Sequence, residues 1–445
     1  MTRQQPHARH ELMVNGNGTR AAILEGVRTP FCKMGTALSQ VPAQELARVA
    51  IQEALARAEV DPGDVDEVIV GNVCTPADAA NLARVAAVMA GVPISKPAFT
   101  VSRNCASGLE SVVEAALRVQ VGPHRITVAA GTESMSRVHL QASEPLREIL
   151  ARLRRSRTLG QKLATLASLR PAHLRPVVAL ELGLTDPLCG LNMGQTAEVV
   201  ARDLGITRED QDRYALRSHQ KAAAAIQAGR LAEEIVPVFP PPRHDRAVIE
   251  DIGPRANQSM EQLARLRTVF DRRFGSVTPG NASQITDGAA AVVVAREDVA
   301  RALGVRPLGY LRAWAFAGLD PKRMGLGPVF ATHRVLEQAG MTMKDIDLIE
   351  FNEAFAAQVL GSEVAFRSAR FAQEHLGRQE PLGELDLERT NPNGGAIALG
   401  HPVGASGTRL VLTLLKEMRR RGAGTGLATL CVGGGQGGAL LFEAA

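Results

Sequence analysis

Aromatic residues are scarce in this chain: one Trp, two Tyr and twelve Phe make up 3% of its 445 residues. A core so poor in rings must pack on aliphatic side chains, and no segment interleaves aromatic with basic residues as a base-stacking surface does. Cysteine is also sparse. Cys32, Cys74, Cys105, Cys189 and Cys431 are odd in number, irregularly spaced and form no CxxC pair. That excludes a disulfide framework, offers no zinc-site spacing, and fits a reducing cytosol. Charge is nearly balanced, at +5 with pI ≈ 9.1, too mild for this length to call for nucleic acid. The longest uncharged stretch, Gly422–Phe442, holds eight glycines and a glutamine, and reads as strand–turn–strand rather than a membrane helix. The first twenty residues lack the apolar core of a secretory signal. Residues 1–19 are polar and read as a disordered tail, and a cytoplasmic location is expected.

Glycine (42 residues) and aliphatic side chains are plentiful, and 45% hydrophobic content is enough for one large core or two. Cys105 stands out among them. It lies in Asn104-Cys105-Ala106-Ser107-Gly108-Leu109, after an apolar run and before Leu109, Val112, Val113, Ala116 and Leu117. That spacing is one helical face, so the cysteine is predicted at a strand-to-helix turn. A helix N-terminus favours negative charge, which predicts a lowered thiol pKa and a nucleophilic thiolate. Two Gly-rich segments near the C-terminus have matching chemistry. One runs from Asn391-Pro392-Asn393-Gly394-Gly395 through Gly400-His401-Pro402-Val403-Gly404 to Ala405-Ser406-Gly407; the other is Cys431-Val432-Gly433-Gly434-Gly435. Each places a reactive side chain on a tight turn, giving a nucleophile, a base and a second thiol.

The chain also repeats itself. Ala106-Ser107-Gly108 opens one apolar helix and Ala405-Ser406-Gly407 opens another 299 positions later; the same shift lays Val128-Ala129-Ala130 over Leu427-Ala428-Thr429. Asp64–Ile69 matches Asp345–Glu350 at a shift of 281, which implies about 18 extra residues in the second half. Strands alternate with helices along Arg20–Glu25, Ala43–Ala58, Val65–Val70, Asn81–Met89, Ala98–Val101, Ser107–Val119 and Ile126–Ala130. This implies a parallel-type sheet covered on both faces. From Val138 to about Gly280 the alternation gives way to helices, including Met193–Leu204, Arg208–Ala228 and Met260–Leu266; it returns at Ala289–Ala295. The second half follows, with strands at Leu308–Ala313, Ile346–Phe351 and Leu427–Leu430. The fold class is α/β.

Taken together these motifs resemble those of the thiolases. Asn104–Gly108 resembles the family's nucleophile motif and Gly131–Ser136 the strand end that follows it. Asn352-Glu353-Ala354-Phe355-Ala356, Gly400–Gly404 and the Cys431 turn resemble the remaining signatures, over about Ala21 to Phe442. The resemblance implies two related βαβαβ-type halves in an α-β-α-β-α arrangement, with an inserted, mainly helical loop domain. Its boundaries would be 20–137 with 281–305 for the first half, 138–280 for the insert and 306–445 for the second half. It implies cleavage of 3-oxoacyl-CoA by CoA, with no permanently bound cofactor and coenzyme A as substrate. Cys105 would carry the acyl group, His401 would act as its base, and Cys431 would be the second acid/base. The N–H groups of Cys105 and Gly433 would form one oxyanion hole; His401 and a water held by Asn352 would form the other. Ser283, Phe355 and Met193 would contact the pantetheine arm, and Arg243 a coenzyme A phosphate.

Two positions depart from the pattern. Asn352 stands where the long-loop thiolases, related to the β-subunit of fatty-acid oxidation complexes, usually carry histidine; Asn192 stands where shorter-loop members often do. The alternative readings are an acetoacetyl-CoA thiolase working in condensation, a ketoacyl synthase-like enzyme, and an inactive acyl-CoA-binding protein. Retention of Cys105, His401 and Cys431 argues against the last two. The resemblance also implies a homodimer or homotetramer. From Ile149 through Leu180 there are seven Lys or Arg and no acidic residue, with Leu146, Leu150, Leu153, Leu159, Leu163 and Leu166 at helical spacing. Residues 146–175 are therefore expected to meet an anionic membrane surface or an acidic partner, and the segment's resemblance to the extra loop of complex-forming thiolases implies a hydratase–dehydrogenase subunit as that partner.

Overall fold

The structure, a computed structural model, describes residues 19–445. Except for Thr19, the expected disordered tail lies outside them. The first half contributes strands β1 (Ala21–Arg28), β2 (Glu67–Gly71), β3 (Ala98–Val101), β4 (Ile126–Ser134) and β5 (Thr286–Arg296). The second contributes β6 (Gly309–Gly318), β7 (Leu348–Phe351), β8 (Thr425–Val432) and β9 (Gln436–Glu443). The principal helices are α1 (Ala43–Arg57), α2 (Leu82–Met89), α3 (Ser107–Val121), α4 (Glu144–Arg155), α5 (Leu159–Ala167), α6 (Met193–Leu204), α7 (Arg208–Gln227), α8 (Gly327–Ala339), α9 (Ala356–Phe366) and α10 (Val403–Arg421).

The spatial order is β7-β8-β9-β6-β1-β5-β4-β2-β3. The two halves share one topology. β3-β2-β4-β5-β1 corresponds to a reduced strand at Thr390 followed by β7-β8-β9-β6, the reduced strand being a single parallel bridge between Ile349 and Thr390. An antiparallel pairing of β1 with β6 joins the halves edge to edge.

The expected parallel sheet is corrected in one respect. β5 runs antiparallel to both its neighbours, and so does β9. The reason is visible at β8–β9, which a turn of three glycines, Gly433–Gly435, joins as a hairpin; a hairpin can only pair antiparallel strands. β4 and β5 are the equivalent hairpin in the first half, with residues 135–285 inserted in place of its turn. The insert leaves at Ser134 and returns at Asp287, and these two residues are register partners.

Strand alternation assigns the layers. On β5, Ala289, Ala291, Val293 and Ala295 pack outward with α1 and α2, whereas Val292 and Val294 face inward. On β9, Leu440 and Phe442 face inward while Ala439 and Leu441 pack outward with α8 and α9. The inward faces of both sheets enclose α3 and α10, which gives five layers. β4 runs on to Ser134 rather than stopping at Ala130, because its polar end is satisfied internally: Thr132 Oγ1 donates to the Ala43 carbonyl (2.8 Å) and Ser134 Oγ to that of Val41 (2.9 Å). The helix expected over Met260–Leu266 ends at Ala264. Among the described residues no helix is long and apolar enough to cross a membrane.

Gly108 and Gly407 mark where α3 meets α10. A Cβ on Gly108 would lie 2.5 Å from the Thr408 nitrogen, and one on Gly407 2.4 Å from that of Leu109. Backbone cannot yield as a side-chain tip can. Gly108→Ala should therefore lower unfolding free energy by about 1–3 kcal/mol or more. Gly160→Ala, on α5 with nothing within 4 Å, should be neutral or stabilising. Chemical denaturation of both variants checks the contrast; equal midpoints would show that the helices have room to part.

Candidate active site

Cys105 lies in the turn between β3 and α3. Asn104 takes a left-handed conformation (φ 45°), and its Nδ2 donates to the Gly433 carbonyl at 2.8 Å. Ser107 closes the turn from the other side, donating to the Asn104 carbonyl (2.7 Å) and accepting from Arg103 N (2.9 Å). The backbone N–H groups of Gly433 and of Cys105 itself favour the ionised form of the Cys105 sulfur. These donors lower the thiol pKa, yet burial raises it by more, and the Glu133 carboxyl adds to the rise. The expected thiolate is thus corrected: at rest Cys105 is a neutral thiol.

His401 sits between a four-residue helix, Ala396–Leu399, and α10. Its N–H donates to the Gln284 carbonyl (3.0 Å), which docks the histidine turn against the returning end of the insert. The ring's Nδ1 lies 2.5 Å from Ser406 Oγ, and Asn352 Nδ2 approaches Nε2 at 3.4 Å. Burial, helped by the charge of Arg409, pushes the imidazole pKa down to about 4. Asn352 follows β7 and is fully buried; its N–H bonds to Thr429 on β8, and its Oδ1 has no protein partner. Cys431 closes β8, 1% exposed. Burial raises its thiol pKa, and negative charge on Cys105 would raise it further.

These groups meet in one apolar cavity of about 280 Å³, lined among others by Cys105, His401, Cys431, Met193, Phe355 and Ser283. Met193 opens α6, and Asn192, also on the cavity wall, caps that helix by accepting from Gln195 N (2.9 Å). Phe355 stacks edge-on with Phe270, ring centroids 6.2 Å apart, and Ser283 N donates to the Ala354 carbonyl (2.9 Å). A second cavity of about 220 Å³ shares Cys105 and Met193 and is walled by Cys74, Gly433 and residues of Leu180–Leu188. Arg243 is not brought to either cavity; it lies on an exposed turn after Pro241-Pro242. Among the described residues no group of three or more His, Cys, Asp or Glu could hold a metal.

Two carboxylates were not singled out from sequence. Glu133 accepts from Asn72 Nδ2, Val73 N, Cys74 N and Gly404 N, at 2.9–3.1 Å, and so ties the loop after β2 to the start of α10; its pKa is raised to about 7 by burial. Glu353 accepts from Tyr214, Ser218, Asn391 and Ile397 N, joining the Asn352 turn to α7 and to the histidine segment. The available signal was an acidic residue inside each motif where burial was expected, which demands partners.

A neutral Cys–His pair has a testable consequence. With the thiol above its ordinary value and the imidazole at about 4, the thiolate fraction grows as pH rises and is minor at neutrality. Alkylation of Cys105 by iodoacetamide should therefore be slow at pH 7 and accelerate up to and beyond pH 9. Peptide mapping of the modified protein measures it. A rate already on a plateau below pH 7 would indicate a preformed thiolate–imidazolium pair and refute the neutral state.

Comparison with known proteins agrees with this geometry. The N-terminal thiolase domain model matches residues 21–298 and the C-terminal one residues 305–444. A 3-ketoacyl-CoA thiolase of Yersinia enterocolitica is 42% identical over 432 residues, covering 97% of this chain and 98% of that protein. The crystal structure of Bacillus anthracis acetyl-CoA acetyltransferase superposes with a TM-score of 0.83 at 38% identity, covering 96% and 99% of the two chains. Human mitochondrial 3-ketoacyl-CoA thiolase in complex with CoA gives 0.82 at 35% identity, covering 96% and 98%. The matches span both halves and the insert, and the chain belongs to the thiolase family.

Proposed function

We propose that this protein is a 3-ketoacyl-CoA thiolase, cleaving 3-oxoacyl-CoA with CoA to acetyl-CoA and a shortened acyl-CoA. The observation that carries the reading is the single cavity in which Cys105, His401 and Cys431 converge. His401, neutral at pH 7, takes the Cys105 proton as the sulfur attacks the C3 carbonyl. The transfer must accompany C–S bond formation, since the thiol at rest is a far weaker acid than the imidazolium. The N–H groups of Cys105 and Gly433 stabilise the resulting oxyanion. The C2–C3 bond then breaks, and the acetyl-CoA carbanion takes its proton from Cys431, a thiol that burial keeps protonated. His401 and a water held by Asn352 receive the charge on the thioester oxygen of that leaving group. Incoming CoA loses its thiol proton to Cys431 and attacks the acyl-Cys105 thioester; the shortened acyl-CoA is freed, and the departing Cys105 sulfur recovers its proton from His401.

Pantetheine would lie along Met193, Phe355 and Ser283, and the acyl tail in the second cavity. CoA enters as substrate, and no step calls for a resident cofactor. The runner-up is an acetoacetyl-CoA thiolase working in condensation. Steady-state thiolysis across a series of 3-oxoacyl-CoA lengths separates the two. Cys105→Ala should abolish turnover and the acetyl adduct that mass spectrometry finds after mixing with acetyl-CoA. Cys431→Ala should still take up acetyl but lose turnover on the order of a hundredfold or more. Full activity in Cys105→Ala would overturn the mechanism, and near-normal turnover in Cys431→Ala would reassign the second proton transfer.

Two surfaces support association, and the location is proposed to be cytoplasmic. β3 ends the sheet with an unpaired edge bearing half-buried Phe99 and Val101, which suits pairing with a second copy in a homodimer or homotetramer. The α4–α5 pair exposes Leu150, Leu159, Leu163 and Leu166 beside Arg152, Arg154, Arg155 and Arg157, a surface for anionic lipid or for an acidic face of a hydratase–dehydrogenase subunit. Reversing those four arginines to glutamate should abolish low-salt co-sedimentation with anionic vesicles, or co-purification with that subunit, and leave thiolysis of short substrates unchanged. Sedimentation velocity in the same series should give at least a dimer. If the quadruple variant associates as the parent does, the basic face is merely solvated.

A further inference from the structure

The Ala-Ser-Gly repeat does more than open two helices. In each copy the serine hydroxyl turns back onto the reactive turn before it. Ser107 closes the Cys105 turn through Asn104 and Arg103. Ser406, wholly buried on the first turn of α10, lies 2.5 Å from His401 Nδ1 and 3.0 Å from the Pro402 carbonyl.

A hydroxyl has one proton, and a carbonyl can only accept. With the Ser406 proton directed to Pro402, the Oγ lone pairs face Nδ1, and the ring must carry its hydrogen there. On the far side Asn352 Nδ2 donates towards Nε2. The donors then run in one direction: Asn352 to Nε2, Nδ1–H to Ser406, Ser406 to Pro402. Arg409, one turn further along α10, adds positive charge that opposes a second ring proton at rest; its Nη1 is held by Glu350 Oε2 at 2.7 Å, both side chains being 1% exposed.

We propose that Ser406 is a positioning residue that fixes the Nδ1–H tautomer of His401 and leaves the Nε2 lone pair, met only by the long 3.4 Å contact with Asn352 Nδ2, as the base for the Cys105 proton. The proton leaves the Cys105 sulfur and arrives at Nε2; the Nδ1 hydrogen stays bonded to Ser406, and no proton passes through the serine. The inference rests on His401 being the base, and its test separates the two ideas.

Full-length protein labelled with ¹⁵N-histidine reports the ring tautomer, with the His401 signal identified by its loss in His401→Asn. The rate of Cys105 acetylation by acetyl-CoA reports the chemistry. The parent should show the Nδ1–H pattern. Ser406→Ala removes only a hydroxyl; it should lose that pattern and acetylate about ten- to a hundredfold more slowly, with little change in KM for acetyl-CoA, the scale known for hydrogen-bond partners of metal-ligating histidines. Ser111→Ala, a buried serine on α3 that donates to the Gly108 carbonyl, should change neither readout. An unchanged tautomer in Ser406→Ala overturns the proposal, as does an equal loss in Ser111→Ala, which would reduce Ser406 to packing. A changed tautomer with parental acetylation overturns the assignment of His401 as base, and the proposal with it.

Discussion

At the centre of the molecule α3 and α10 meet backbone to backbone, and the rest of the site depends on how close they come. Gly108 and Gly407 leave no space for a methyl group between them. Both helices begin just after a reactive turn, Cys105 before one and His401 before the other. Bringing their N-terminal turns into contact therefore brings Cys105 and His401, the proposed nucleophile and base, to one place without any long-range loop. The third group, Cys431, arrives by the same symmetry. It closes β8 beside the hairpin turn that the first half has expanded into the whole insert. The insert can supply the cavity wall, through Met193, Phe270 and Ser283, because it departs and returns at the end of the sheet where the thiols lie.

Buried carboxylates then hold these pieces in register. Glu133 binds the β2 loop to the start of α10, and Glu353 binds the Asn352 turn to α7 and the histidine segment. Arg28 on β1 is fully buried, paired with Glu234 and, in bidentate fashion, with Asp251, both from the insert; Thr413 on α10 donates to the same Glu234. Charges in so dry an interior are costly unless each lone pair finds a donor. Here several donors come from separate chain segments, so any relative shift of those segments would break more than one bond.

Much of this was legible in sequence, for identifiable reasons. The Ala-Ser-Gly repeat exposed the two halves because close helix packing restricts residue choice on both copies. The reactive turns were legible because each is a reactive side chain set among glycines. The Gly422–Phe442 hairpin could be read as strand–turn–strand, but its counterpart β4–β5 could not, since the insert separates the two strands and hides the pairing that makes β5 antiparallel. Arg243 was selected by its charge alone, and it lies on an exposed turn outside both cavities. The thiol pKa was misjudged for a different reason: a helix N-terminus is a local feature visible in sequence, whereas burial is a sum over the whole fold.

That last difference bears on how the site works. Burial raises both thiols and lowers the imidazole, so all three groups rest neutral inside an apolar cavity. A neutral site incurs no cost for buried charge while empty, and an exposed thiolate prone to oxidation is avoided. In the proposed mechanism the charge appears only when substrate is bound, on the oxygen of a carbonyl that the N–H groups of Cys105 and Gly433 would meet. In low dielectric those fixed dipoles act with far more force than in water. Burial, which makes the resting thiol a poor nucleophile, is therefore also what strengthens its reaction once the carbonyl is in place. Asn104, held left-handed and bonded to the Gly433 carbonyl, ties the Cys105 turn to the Gly433 turn, so that the two backbone N–H groups keep their spacing.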